Sequence, residues 1–378
     1  METNCVIIDT PAELEKTVGE FEREAAVAVD LEADSMYHFK EKVCLIQIAT
    51  KKNPVVVDPL MIKDLSPLKP LFSNPGILKV FHGADYDIRS LYRDFNICVN
   101  NLFDTELASR FLGFKESGLQ AVLKTFFGVD IDKRYQKKDW SKRPLPKEMT
   151  AYASTDVMYL LPLAEILIRK LEELGRLDWV LEECNDLSKV RPDSFDDGPL
   201  FLKFKGAGRL KSRSLAVLEA LLQYRKQMAE EKDKPLFKII GNDSIMKIAT
   251  ARPVTLRRLK HINTLSNKQL SMFGNDLLLV VAGALEVPDD KLPVFLSRKP
   301  PMLPRGTPKR VKVLKTWRAS RAKTLKIHPG MLCNNALIAS LAVNNPVDEN
   351  ALDAVPGMKQ WQKKVFGKEI VKILKRVS

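Results

Sequence analysis

Five side chains in this 378-residue chain have types and spacings suited to hydrolytic chemistry. Asp30 and Glu32 close the apolar run Ala25-Ala-Val-Ala-Val29. Residues two apart on a strand point to the same face, so the two carboxylates stand side by side at the end of a buried strand. They repel each other there and lose hydration, and a divalent cation is the usual compensation. Taken alone, the pair reads more readily as two solvated acids at a strand end. Asp87 follows the apolar Leu78-Lys-Val-Phe81 and the segment His82-Gly-Ala-Asp-Tyr86, in the first turns of a helix. Strand-to-helix mouths are where α/β folds seat ligands. The plain alternative is an acid favoured by the helix dipole, and Asp85 is a rival candidate. Tyr152 and Asp156 are four apart and share one helix face. A phenol beside a carboxylate suits the orientation of a metal-bound water, whereas a surface tyrosine near a solvated aspartate is the alternative.

These residues need elements to hold them. Val6–Ile8, Ala25–Leu31, Val43–Ala49, Pro54–Asp58 and Ile77–Phe81 are apolar, β-branched runs that read as strands. Thr10-Pro-Ala-Glu13 has the residues of a capping box with proline at the first helical position. Ala84–Phe95 repeats apolar residues at helical spacing. Glu148–Glu183 is helical in composition, and Pro162 should kink or divide it. Strands first, then strands alternating with helices, predict an α/β domain with a mixed sheet. From Leu215 onwards strand signals nearly vanish, leaving two helical blocks.

Length predicts two or three domains. The boundaries expected are 1–190 for the α/β domain, 191–209 and the proline-rich 289–307 for linkers, and 210–288 and 308–378 for the helical blocks. A hydrophobic content of 45% with 29% charged residues is that of a globular protein, and no apolar run is expected to cross a membrane. Five scattered cysteines without a CxxC pair argue for reduced thiols, and the N-terminus lacks a secretory pattern. Both point to the cytoplasm. No GxxxxGK[ST] motif is present, so no nucleotide cofactor is expected. The net charge of +14 divides into −8 over residues 1–200 and +22 over residues 201–378. No acidic residue stands between Lys291 and Pro346. Such a basic half fits a polyanion-binding module beside something else.

The order DxE, D, YxxxD is that of the DEDD exonucleases in their tyrosine-containing subclass. VAVDLEAD, VCLIQIA, VFHGADYDI, LFDTELASRFLG and YASTDVMYLLPLA resemble ribonuclease D and its eukaryotic nuclear exosome relatives, over Thr10 to Leu174. The resemblance implies a ribonuclease H-like fold, two divalent ions (Mg²⁺ or Mn²⁺) and release of nucleoside 5′-monophosphates from RNA 3′ ends, tRNA precursors among them. It selects Asp87 over Asp85. It assigns Asp30, Glu32, Asp87 and Asp156 to metal, and Tyr152 to the attacking water. Leu31 stands where many relatives have threonine, a position that meets substrate mainly through its backbone. His82 reads as a structural histidine or as lining for the terminal nucleotides. The basic stretch Lys133–Lys147, Arg143 within it, reads as a solvated loop or as the rim of the site.

Both helical blocks resemble HRDC domains, the second more divergently, and this three-part layout is that of bacterial ribonuclease D. Their lysines and arginines would neutralise phosphates with little sequence information. Two rivals stand beside this reading. A 3′→5′ DNA exonuclease uses the same carboxylates, and an inactive nuclease domain would serve as a nucleic-acid-binding protein.

Overall fold

The computed structural model describes residues 6–52, 54–131, 134–192, 198–295 and 303–377. They fall into two compact units. The first holds the described residues of 1–33, 43–192 and 302–378, and the second those of 34–42 and 193–301.

The first unit opens β1 (Val6–Ile8), α1 (Pro11–Phe21), β2 (Ala26–Ala33), β3 (Val43–Ala49), β4 (Pro54–Val57), α2 (Leu68–Ser73), β5 (Leu78–Phe81), α3 (Asp85–Phe95), β6 (Leu102–Asp104), α4 (Thr105–Phe111) and α5 (Leu119–Phe127). It continues with α6 (Lys147–Met158), α7 (Leu160–Glu173) and α8 (Leu177–Leu187). The six strands form one mixed sheet in the order β1-β4-β3-β2-β5-β6. β3 runs antiparallel to both its neighbours, and the outer pairings are parallel. All seven residues of β3 are buried, as befits a strand covered on both faces. The strand expected over Ala25–Leu31 runs instead to Ala33, because its antiparallel ladder with β3 continues through Glu32↔Leu45. Asp30 and Glu32 therefore lie within the strand.

Thr10 caps α1 by accepting from the Glu13 N–H, while its hydroxyl donates to the Glu13 carboxylate at 2.8 Å. The helix expected over Glu148–Glu183 divides into α6, α7 and α8. Pro162 falls in the first turn of α7, where a missing N–H leaves no helical bond unmade. Contrary to expectation, Lys147–Glu173 has the length and hydropathy of a membrane span. Its Leu160, Leu161, Leu163, Leu167 and Leu171 are buried in the core of this unit, and that packing accounts for the apolar composition.

The second unit is helical: α9 (Ser212–Glu231), α10 (Leu236–Ile239), α11 (Asn242–Ala251), α12 (Leu256–His261) and α13 (Asn267–Leu285). Ser266 and Gln269 form a reciprocal capping box at the start of α13. Part of the expected linker 191–209 is structured here. Leu200–Lys203 and Ala207–Arg209 make short 3-10 turns, and Phe201 and Ala207 are buried. The remainder, 193–197, and positions 296–302 of the second linker lie outside the described residues, as does Cys5. Asp34–Lys42 belongs to this unit as well. Asp233 accepts from the Phe39 N–H and lies 2.6 Å from His38 Nδ1.

The second helical block comprises α14 (Thr307–Leu325), α15 (Pro329–Leu332), α16 (Asn335–Asn344) and α17 (Gln360–Lys375). It shares one apolar core with the sheet-bearing part of the first unit. Trp361 stacks on Trp179 of α8 at 4.7 Å and meets Phe111 edge-on at 5.7 Å. The Glu182 carboxylate accepts from the N–H groups of Gln360 and Trp361, each at 2.8 Å, at the start of α17. Lys359 is held by Glu183 and Asp186. The Arg176 guanidinium donates to the last carbonyls of two helices, Phe111 of α4 and Leu325 of α14. A cation at two helix C-termini satisfies both dipoles.

Candidate active site

β2 is the floor of the site. Asp30 and Glu32 project from one face, and α6 packs across β2, β3 and β4 on that face, bringing Asp156 above them. One oxygen from each of Asp30, Glu32 and Asp156 lies within 4.8 Å of the other two. This is a spacing that a divalent ion could bridge. One oxygen of Asp156 is buried without a hydrogen-bond partner, which suits a cation ligand.

Asp87 approaches from the first turn of α3 and is 7% exposed. Asp85 in the same turn points elsewhere and pairs with Arg89 at 2.9 Å. The turn carrying Asp87 is set by Asp104. Its carboxylate accepts from Gly83 and Ala84 at 3.0 and 2.8 Å, and caps α4 by accepting from Glu106 and Leu107. Gly83 has φ +77, and a Cβ there would meet the Glu106 carboxylate at 2.9 Å. Only glycine takes that turn without strain.

The electrostatics agree with the geometry. Desolvation pushes the Asp30 carboxyl up to about 6. Glu32 is held well above the usual range by burial and by the charges of Asp30, Asp156 and Asp87. Burial, with Asp30 next to it, does the same to Asp87. Asp156 is pushed up to about 8 by burial and by Asp30, against a lowering hydrogen bond from Tyr152. Four acids that resist ionising together form a site suited to a compensating positive charge.

Tyr152 is hydrogen-bonded to Asp156, and burial next to these carboxylates raises its phenol well above the ordinary value. Its ring packs against Tyr135 at 5.7 Å and Trp140 at 6.1 Å. Tyr135 and Trp140, both in the described part of the basic stretch (134–147), thus clamp the Tyr152 ring. Arg143 anchors that clamp. It makes a two-pronged pair with Asp58 at 2.6 and 2.7 Å and donates to the carbonyls of Trp140, Lys142 and Cys44. All five N–H groups of the guanidinium are used, so the geometry favours a framework role over the expected substrate contact.

His82 directly follows β5. Its Nδ1 is 2.9 Å from the Thr105 hydroxyl, which donates to the Phe81 carbonyl, and burial lowers its pKa. The Leu31 side chain is 7% exposed in the core, on the face opposite the carboxylates. The β5 ladder ends at Ala28, so on that side the Leu31 backbone lies beyond the paired stretch. Two polar residues escaped the sequence reading. Asp104 could have been found as an N-cap acid inside LFDTELASRFLG. Gln47 is cross-strand partner to Asp30, fully buried, and neither of its amide atoms has a partner. Its only signal is a lone polar residue in VCLIQIA. The cavity at the site, about 490 Å³, is bounded by Tyr152, Asp156, Glu116, Gly118 and Gln136.

Residues 5–172 match the family model described as 3′-5′ exonuclease, and residues 214–281 and 308–374 each match that of the HRDC domain. The chain is 31% identical to ribonuclease D of Gluconacetobacter diazotrophicus, over 96% of this chain and 91% of that protein. It is 35% identical to exosome complex component 10 of Mus musculus, over 67% of this chain but 29% of the relative. Among solved structures, Escherichia coli RNase D, described as an exoribonuclease involved in structured RNA processing, superposes with a TM-score of 0.73 at 26% identity, covering 99% of each chain. The catalytic core of RRP6 from Trypanosoma brucei superposes with a TM-score of 0.65 at 30% identity, over 75% of this chain and 80% of that one. With its carboxylates on β2, α3 and α6 and two HRDC domains following in the sequence, the chain belongs to the ribonuclease D family, a hydrolase of the 3′-5′ exoribonuclease type.

Proposed function

We propose that the protein trims RNA from the 3′ end one nucleotide at a time, releasing nucleoside 5′-monophosphates. The convergence of Asp30, Glu32 and Asp156 oxygens within 4.8 Å, with Asp87 beside them, carries this reading. Asp30, Glu32 and Asp156 would hold one divalent ion, and Asp30 with Asp87 a second, Mg²⁺ or Mn²⁺ in either place. When bound, such ions acidify the attacking water and neutralise charge on the leaving 3′ oxygen. Tyr152 positions that water from the Asp156 side and, with its high pKa, acts as a neutral hydrogen-bond partner. Asp104 fixes the turn that presents Asp87, and Trp140 with Tyr135 fixes the Tyr152 ring. The Leu31 backbone, beyond the stretch paired with β5, would meet the terminal nucleotides.

The full-length likeness to bacterial ribonuclease D supports 3′-end processing of stable RNAs such as tRNA precursors. The four described cysteines are free thiols, in keeping with a cytoplasmic setting. The test is digestion of 3′-labelled and 5′-labelled RNA and DNA of one sequence, with Mg²⁺, Mn²⁺ or chelator. The expectation is rapid loss of the 3′ label as mononucleotide, metal-dependent and faster on RNA. Equal or faster digestion of DNA would replace this reading with that of a DNA exonuclease.

A further inference from the structure

The first unit contains a second concave site next to the carboxylate cavity. The end of α14 and the start of α15 face the loop after α4 across a cleft of about 840 Å³. Arg110, Lys115, Lys323, Lys326 and His328 line it, and no acidic side chain does. All four permanent cations are exposed, and none forms an ion pair among the described residues. Unpaired like charges gathered in a concavity repel one another and focus a positive potential, which an anionic ligand relieves.

The walls of the cleft are fixed. At Gly113, φ is +96, and a Cβ would lie 2.3 Å from the Lys326 carbonyl oxygen, so the two backbones touch. Arg176 ties Phe111 and Leu325 together just behind that contact. Phe114, Ile327 and Pro329 add apolar surface between the cations, suited to ribose and base faces. The cleft also adjoins the catalytic cavity. Ser117 lines the cleft, while Glu116 and Gly118 on either side line the cavity.

We propose that this cleft receives the phosphodiester backbone of the RNA strand 5′ of the scissile bond, so that the second HRDC domain supplies a substrate-guiding wall to the catalytic unit. The proposal rests on the exoribonuclease reading. A bound strand would have its 3′ nucleotide at the carboxylates and its upstream phosphates along Lys115, Lys323 and Lys326.

The experiment compares the full-length protein with Lys115→Gln/Lys323→Gln/Lys326→Gln and with Lys115→Gln alone, which alters only an exposed loop. Metal-dependent trimming is measured on a trinucleotide and on a long single-stranded RNA across a salt series, with melting curves as the fold control. The triple variant should trim the trinucleotide as the wild type does. Its KM for the long RNA should rise roughly tenfold, and the dependence of log KM on log salt should flatten by about 2, or ~0.7 per lost phosphate contact. The single variant should show a proportionate part of both effects. Wild-type KM and salt slope in the triple variant, beside an active wild type, would overturn the proposal. So would lost binding of polyglutamate with unchanged RNA kinetics, which would give the cleft to an acidic protein. A wild type that trims neither substrate would instead remove the exoribonuclease reading beneath it.

Discussion

At the scale of single residues, the site is a balance between four carboxylates and the positive charge they require. Asp30→Ala, Glu32→Ala, Asp87→Ala and Asp156→Ala should each lower turnover by at least about a hundredfold while RNA binding persists; near wild-type rates in two of the four purified variants would refute the assignment. Tyr152→Phe should lower kcat, by roughly a hundredfold if the hydroxyl orients the water, and leave metal affinity by calorimetry unchanged. A further prediction concerns stability. The Asp156 carboxyl rises on folding from 3.8 to about 8, so between those pH values the folded state holds a proton that the unfolded state has released. Stability without metal therefore falls as pH rises through that window. Metal-free Asp156→Asn should melt above the metal-free wild type at pH 8, with the gap closing towards pH 5, and Mg²⁺ should raise the wild type more. A wild type as stable as the variant at pH 8 without metal would contradict this. In the sequence, strand and helix spacings put Asp30 with Glu32 and Tyr152 with Asp156 on shared faces, whereas Asp87 is singled out from Asp85 by the resemblance to ribonuclease D and not by spacing. Only the fold could show that Arg143 is consumed by Asp58 and backbone carbonyls, since a basic loop residue reads the same whether its donors are free or spent.

At the scale of elements, the catalytic turn depends on a neighbour that sequence periodicity passed over. β6 has three residues and α4 seven, too short for a hydrophobic period to emerge. Yet Asp104 at their junction caps α4 and holds the Gly83-Ala84 turn, and through that turn the position of Asp87. Asp104→Ala should cost about 1–2 kcal/mol from the lost cap and also lower kcat, because α3 is no longer pinned. Asp104→Asn keeps an accepting oxygen and should recover most of the stability. Equal melting temperatures for the two variants would show that the hydrogen bonds are not what matters. The longer elements were legible. β3 is an unbroken apolar run, and the division of residues 148–183 was signalled by Pro162, though the break falls at Tyr159 because proline is tolerated in the first turn of the helix that follows.

At the scale of the whole molecule, the charge split of −8 and +22 suggests a clean division near residue 200, and the packing contradicts it. The basic stretch from 303 to 377 shares a core with the nuclease sheet, through Trp361 on Trp179 and through Arg176 bridging Phe111 and Leu325. Charge reports which residues meet water and phosphate; it carries no information about which apolar faces meet each other, and the tryptophans that join the two segments lie 182 positions apart. A chain cut near Asp197, the natural truncation by charge, would bare Phe111 and Trp179 and leave the Phe111 carbonyl with an unanchored arginine. The shortened protein should melt well below the full-length one and expose apolar surface to a hydrophobic dye. Arg176→Met in the intact chain isolates one part of this effect. It removes charged hydrogen bonds to two helix-end carbonyls and should cost about 2–3 kcal/mol, with trimming of a trinucleotide largely retained at low temperature. A truncated chain with full stability and unaltered trimming would show that the two segments merely lie together. In that case the second HRDC domain would be dispensable to the catalytic fold, and its tryptophan stack would contribute little beyond the area it covers.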